Sequence, residues 1–160
     1  MTVTRDIAAP RQRVWDVIAD GWTYSQWVVG NSRMRAVDPD WPASGSTIHH
    51  SIGVWPVLLD DETVVEEATE PERLVLQAKG RPFGGARIIL ELSEIPNGCR
   101  ISMQEFPASG IGKLIPGRLS DAAVWPRNNE TLRRLAFLAE RRDDPDALLA
   151  PFSALFGSKS

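Results

Sequence analysis

Residues 86–106 read ARIILELSEIPNGCRISMQEF. Two apolar runs, Ala86 to Ile95 and Cys99 to Phe106, flank Pro96-Asn97-Gly98. That separator resembles a tight hairpin turn, because Asn-Gly readily takes positive φ. Upstream, Leu74 to Lys79 and Glu62 to Glu70 read as two more strands, set apart by Pro71-Glu72 and by the glycine-containing stretch Gly80 to Gly85. Strands at this spacing, with no helix between them, predict an antiparallel meander. Thr47 to Val54 alternates Ile48, His50 and Ile52 against Thr47, His49 and Ser51, and Arg33 to Val37 is a shorter strand before it. Asp38-Pro39-Asp40-Trp41-Pro42 and Ser44-Gly45-Ser46 carry turn chemistry; Pro56 interrupts the pattern and Asp60-Asp61 marks the next turn.

Helical spacing flanks this block. Val3 to Ile7 is a half-buried strand, ended by Ala8-Ala9-Pro10. Pro10 suits a first helical turn, and Arg11 to Asp20 follows as a helix with Val14, Trp15, Val17 and Ile18 on one side and Gly21 as its stop. Trp22 to Val29 is a second, short helix or turn. After the loop Ala108 to Gly117, Ser120 or Asp121 caps a long helix to about Arg142. Its inner stripe runs through Val124, Asn128, Thr131/Leu132, Leu135 and Leu138, with Arg133, Arg134, Arg141 and Arg142 mostly outside. Pro126 predicts a kink or a later start. One helix cannot cover both faces of such a sheet. The expectation is therefore an α+β domain over 1–142, in which a curved antiparallel sheet of six to seven strands wraps the long C-terminal helix and two short helices close one end. Residues 143–160 form a short apolar tail.

The chain has 160 residues, 18 Lys+Arg against 21 Asp+Glu and a net charge of -3. That length fits one domain, able to hide about 70% of its unfolded surface. The balanced charge argues against nucleic acid, which needs a basic stripe. One cysteine excludes an internal disulfide framework and cysteine-rich zinc sites. No apolar run approaches the ~20 residues that span a bilayer, and Met1 to Pro10 lacks the apolar core of a signal peptide. The default is a soluble cytoplasmic protein, monomer or homodimer, with no stable membrane insertion.

The element order resembles the START-like (birch-pollen-allergen, SRPBCC) superfamily. The residues that carry the likeness are Ala9-Pro10-Arg11-Gln12-Arg13-Val14-Trp15, Asp20-Gly21-Trp22-Thr23-Tyr24-Ser25-Gln26-Trp27, Trp41-Pro42, Gly45, Asp61-Glu62-Thr63-Val64-Val65-Glu66, and the helix around Arg127-Asn128 and Leu132. The likeness covers about residues 2 to 142 and points to bacterial proteins of polyketide cyclase/dehydrase or lipid-transport type. It implies a helix-grip fold with a cavity between sheet and long helix that holds an apolar or aromatic small molecule.

Within that frame the candidate binding residues are Trp27, His50, Trp55, Leu90, Met103, Asn128, Leu132 and Leu135. His49 and His50 are the only histidines, and strand alternation lets at most one face inward. Sharing a face with Ile48 and Ile52 selects His50, as acid, base or hydrogen-bond anchor, or else as a structural histidine bonded to a neighbour. The pair cannot converge on one metal ion, so no metal or cofactor is expected. Trp22, Trp27 and Trp55 fall at element ends that would surround a cavity mouth, or would fill a helix–sheet junction. Trp41 reads as a local lid or plug, and Trp15 as core. Asn128 needs an interior partner, either a ligand oxygen or a backbone group freed at Pro126. The acidic run Asp60, Asp61, Glu62, Glu66, Glu67, Glu70, Glu72 reads as a solvated sheet surface, and Cys99 as an ordinary thiol.

Three functions fit. The preferred one is a non-catalytic carrier or sensor of a small hydrophobic ligand. The first alternative is a polyketide-type cyclase or dehydratase with His50 as its acid/base group. The second is a stress-related, co-chaperone-like module using an exposed apolar patch at the tail.

Overall fold

The computed structural model describes residues 1–80, 84–108 and 117–141. The tail at 143–160, and with it the expected protein-binding patch, lies outside the described residues. The chain begins with β1 (Thr2–Ile7) and α1 (Arg11–Ala19), passes through a single 3-10 turn (Gly21–Thr23), and continues into the short α2 (Tyr24–Trp27). Six strands follow: β2 (Asn31–Val37), β3 (Thr47–Val54), β4 (Val57–Thr69), β5 (Arg73–Ala78), β6 (Ala86–Ile95) and β7 (Gly98–Pro107). α3 (Gly117–Arg141) closes the described chain. The seven strands make one antiparallel sheet in the order β1-β7-β6-β5-β4-β3-β2. The helix pair thus carries the chain from one edge of the sheet to the other. Register shifts in the β2–β3 pair and between Val65 and Glu67 in the β4–β5 pair mark bulges, which bend a sheet and sharpen its twist. The result is the helix-grip arrangement expected from the sequence.

Alternation decides what each strand buries. Leu74 and Leu76 on β5, Ile88, Leu90 and Leu92 on β6, and Cys99, Ile101 and Met103 on β7 join one apolar cluster on the inner face. α3 completes it with Leu132, Leu135, Ala136 and Ala139, and α1 with Val14, Trp15, Val17 and Ile18. Trp41 packs there too, and its indole N–H donates to the Ile18 carbonyl at 3.2 Å. It plugs the gap beside α1, as its place in a turn predicts.

Several expectations change on contact with the structure. Gly21 does not act as a left-handed helix cap; the Asp20 carboxylate accepts the Trp22 N–H instead. Glycine is required at 21 because a Cβ there would sit 2.6 Å from Val37 Cγ1 and 3.0 Å from the Trp41 ring. The turn expected at Asp60-Asp61 lies earlier. Val54 pairs with Val57, so Trp55-Pro56 is the hairpin tip and both aspartates sit within β4. They are tolerated because each carboxylate has donors: Ser51 Oγ bonds Asp60 at 2.9 Å, and the Gly80 N–H bonds Asp61 at 2.9 and 3.0 Å. Pro126 lies inside α3 without ending it.

The β6–β7 hairpin also closes differently. Ile95 pairs with Gly98, leaving Pro96-Asn97 as the loop, and Asn97 does not take positive φ. Gly98 does, at φ 150°, and a Cβ there would run into the Ile7 carbonyl oxygen at the end of β1. Gly98→Ala should therefore destabilise the fold by about 1–3 kcal/mol, read as a lower urea midpoint at unchanged slope.

Candidate functional site

Midway along α3, around Arg127, Asn128 and Thr131, the interior is not filled. A cavity of about 380 Å³ opens between helix and sheet. Its walls come from β3 and β4 (His50, Ile52, Asp61, Thr63), the start of β6 (Ala86, Ile88), β7 (Met103, Glu105), and α3 (Arg127, Asn128, Thr131), with Tyr24 and Val28 to Asn31 at one end. Farther along α3, Leu132 and Leu135 press onto the sheet and leave no room. Ligand pockets commonly span about 300–1,000 Å³, so this one suits a compact molecule.

One polar group of residues belongs to β3, β4 and α2. His50 is 3% exposed and faces inward, as its shared face with Ile48 predicts. Its Nε2 lies 3.0 Å from Thr63 Oγ1. The Tyr24 ring lies against His50 at 5.5 Å and meets Trp27 edge-on at 5.2 Å. Burial pushes the Tyr24 phenol up to about 12, so it keeps its proton. Burial also holds the His50 imidazole below its ordinary value, against the opposing pull of Asp61, so the ring is neutral near pH 7. Nδ1 of His50 is buried and has no partner among the described residues. Its role follows from Thr63. If the hydroxyl donates to Nε2, Nδ1 carries the proton; if Nε2–H donates, Nδ1 is a bare acceptor. His49 points the other way, toward Glu62 at 3.5 Å. Behind the site, Arg35 on β2 donates to the His50 and Asp61 carbonyls and pins both strands.

A second polar group joins β7 to α3. Asn128 is fully buried. Its Nδ2 donates to Glu105 Oε2 at 2.9 Å, and its Oδ1 accepts from Arg127 Nε and Nη2 at 3.1 Å. Arg127 also pairs directly with Glu105. Asn128 is thus satisfied by side chains, not by backbone freed at Pro126. The Thr131 hydroxyl accepts the Val29 N–H at 3.2 Å and ties the exit of α2 to the helix.

The expected binding residues divide. His50, Met103 and Asn128 line the cavity. Trp27 is buried behind Tyr24, with its indole N–H unpartnered among the described residues. Leu90, Leu132 and Leu135 are core, because they lie where helix and sheet are in contact. Trp55 is 85% exposed at the β3–β4 hairpin tip, and Trp22 is exposed as well, so neither surrounds the cavity. Among the lining residues not expected from the sequence are Thr63, Asp61 and Glu105. Glu105 continues the inward series Cys99, Ile101, Met103 at period two, a signal present in the sequence. Asp61, only 5% exposed, departs from the solvated face expected of its acidic run because it shares the inward phase of Thr63 and Val65.

Solved structures share this architecture. A Nitrosomonas europaea protein superposes with a TM-score of 0.69 at 18% identity, over 89% of this chain and 94% of that one. A Chromobacterium violaceum protein gives 0.65 at 16%, over 88% and 96%. A Staphylococcus aureus protein of unknown function gives 0.69 at 10%, over 89% and 93%. At these identities the likeness speaks for the fold alone. No curated protein matches the sequence. Residues 1–140 match the profile of the family described as polyketide cyclase / dehydrase and lipid transport, and with the helix-grip fold and its cavity in place, the chain belongs to that SRPBCC-type family.

Proposed function

We propose that the protein is a cytoplasmic, non-catalytic carrier or sensor that holds one small, largely apolar molecule between its sheet and α3. The cavity of about 380 Å³ is the observation that supports this reading. Ile52, Ala78, Ala86, Ile88 and Met103 supply apolar wall, and burial against it stabilises a ligand by about 25 cal/mol per Å² before ordering costs. In this reading His50 and Asn128, both among the lining residues, would orient the polar end. The volume favours a single-ring or fused-ring compound or a short chain over a two-tailed lipid.

One observation favours a second reading, a cyclase or dehydratase. A neutral, buried imidazole is among the residues lining the cavity, held through Nε2 at 3.0 Å from Thr63 Oγ1. Such a group can take a proton from a bound carbon acid or return one to a leaving hydroxyl. Turnover of a polyketide-like substrate that drops by about 10²-fold or more in His50→Gln supports this reading; turnover that survives the change intact removes His50 from it.

Ala78→Phe places a ring in the cavity from the sheet side. It should weaken binding of small aromatic probes at least about tenfold by calorimetry while leaving the urea midpoint near wild type. Equal binding by the variant would defeat the carrier reading.

His50 also makes stability pH-dependent. The unfolded side chain titrates near about 6.5, whereas the folded one resists protonation. Between those values the unfolded chain binds more protons. Stability is therefore at its full value above about pH 6.5 and falls as pH drops toward the lowered native value. The loss is at most about 1.4 kcal/mol per pH unit from this group. His50→Gln should shrink the difference between urea midpoints measured at about pH 7.5 and about pH 5.5.

A further inference from the structure

We propose that the cavity selects molecules whose polar end is an un-ionised hydroxyl, such as phenols and alcohols, and rejects carboxylate-headed ones such as fatty acids. This rests on the binding reading above and adds the chemistry of the head group. Two carboxylates, Asp61 and Glu105, line the space, and Arg127 is the only Lys or Arg among the described lining residues. Arg127 is already committed to Glu105 and to Asn128 Oδ1. The described lining therefore carries one more negative charge than positive. A ligand carboxylate brought here would lose water and face like charge, both unfavourable to the ionised form.

The acceptors also have spare capacity. Among the described residues both oxygens of Asp61 share one donor, the Gly80 N–H, although a carboxylate offers about four acceptor sites. The bonds from Asn128 and Arg127 to Glu105 both end on Oε2. His50, the ladder partner of Asp61, lines the same space and is 3% exposed. A hydroxyl donates and accepts at once. It can give its hydrogen to a lining carboxylate and still accept from a donor. An ionised carboxylate has no hydrogen to give to the acidic side. Arg35 sits behind the strands on backbone carbonyls and His49 pairs outward with Glu62, so neither neutralises the cavity.

Naphthol and naphthoate share one apolar body and differ at the head. Calorimetry at neutral pH should show naphthol binding the wild-type protein at least about tenfold tighter. Asp61→Asn keeps an oxygen for the Gly80 N–H, and Glu105→Gln keeps one for Asn128 while releasing Arg127. Each should strengthen naphthoate and narrow the ratio severalfold, so the test survives if one variant fails to fold. Naphthoate binding the wild type as tightly as naphthol overturns the proposal and leaves the cavity a binding site. A ratio unchanged in the folded variants also overturns it. Binding of neither compound removes the carrier reading, and this inference with it.

Discussion

Asn128 can lie fully buried between helix and sheet because Glu105 reaches from β7 to accept its amide hydrogen, and Arg127 holds the amide oxygen. An unpaired buried amide would cost about 1–3 kcal/mol, so these bonds tie α3 to β7 at a defined height. That height is the boundary of the interior. On the C-terminal side of it, Leu132, Leu135 and Ala139 pack directly on the sheet. Around it, Arg127, Asn128 and Thr131 line the cavity. The cavity is a consequence of where apolar packing gives way to a hydrogen-bonded strut.

The opposite wall follows the same rule. His50, Thr63 and Tyr24 occupy inward positions that apolar residues would otherwise fill, and each must find a partner in a region with little water. Thr63 meets the imidazole at Nε2, and the Tyr24 ring lies against it at 5.5 Å. A neutral histidine and a protonated tyrosine thus stand side by side. His50 Nδ1 is left over. A buried polar atom without a partner is unfavourable in a purely structural role.

Much of the architecture was readable in advance. The two-residue alternation of β3, β6 and β7, the stripe on α3 and the apolar side of α1 all carry through, because burial of one face is what period two and period 3.6 encode. The inward direction of His50 followed from Ile48 on the same strand. Trp55 shows the limit. Its place in the cavity rested on a strand end pointing at the mouth, yet Gly53 and Pro56 turn the chain so tightly that the indole projects into solvent. Asp61 shows the same limit in reverse. A run rich in Asp and Glu reads as surface, and only pairing with His50 across the β3–β4 ladder draws one carboxylate inside.

By itself, then, the order of hydrophobic patterns determined an antiparallel sheet gripping a terminal helix, since secondary-structure period and connection length are local properties of the chain. It also determined which face of each element is apolar. Tertiary structure decided how far apart those faces stand. Leu90, Leu132 and Leu135 look like Met103 in any local reading, and whether such a residue lines a cavity or fills a core depends on the separation of sheet and helix at its height. The Asn128–Glu105–Arg127 contact sets that separation between residues 22 or 23 positions apart, and no periodicity within one element records it.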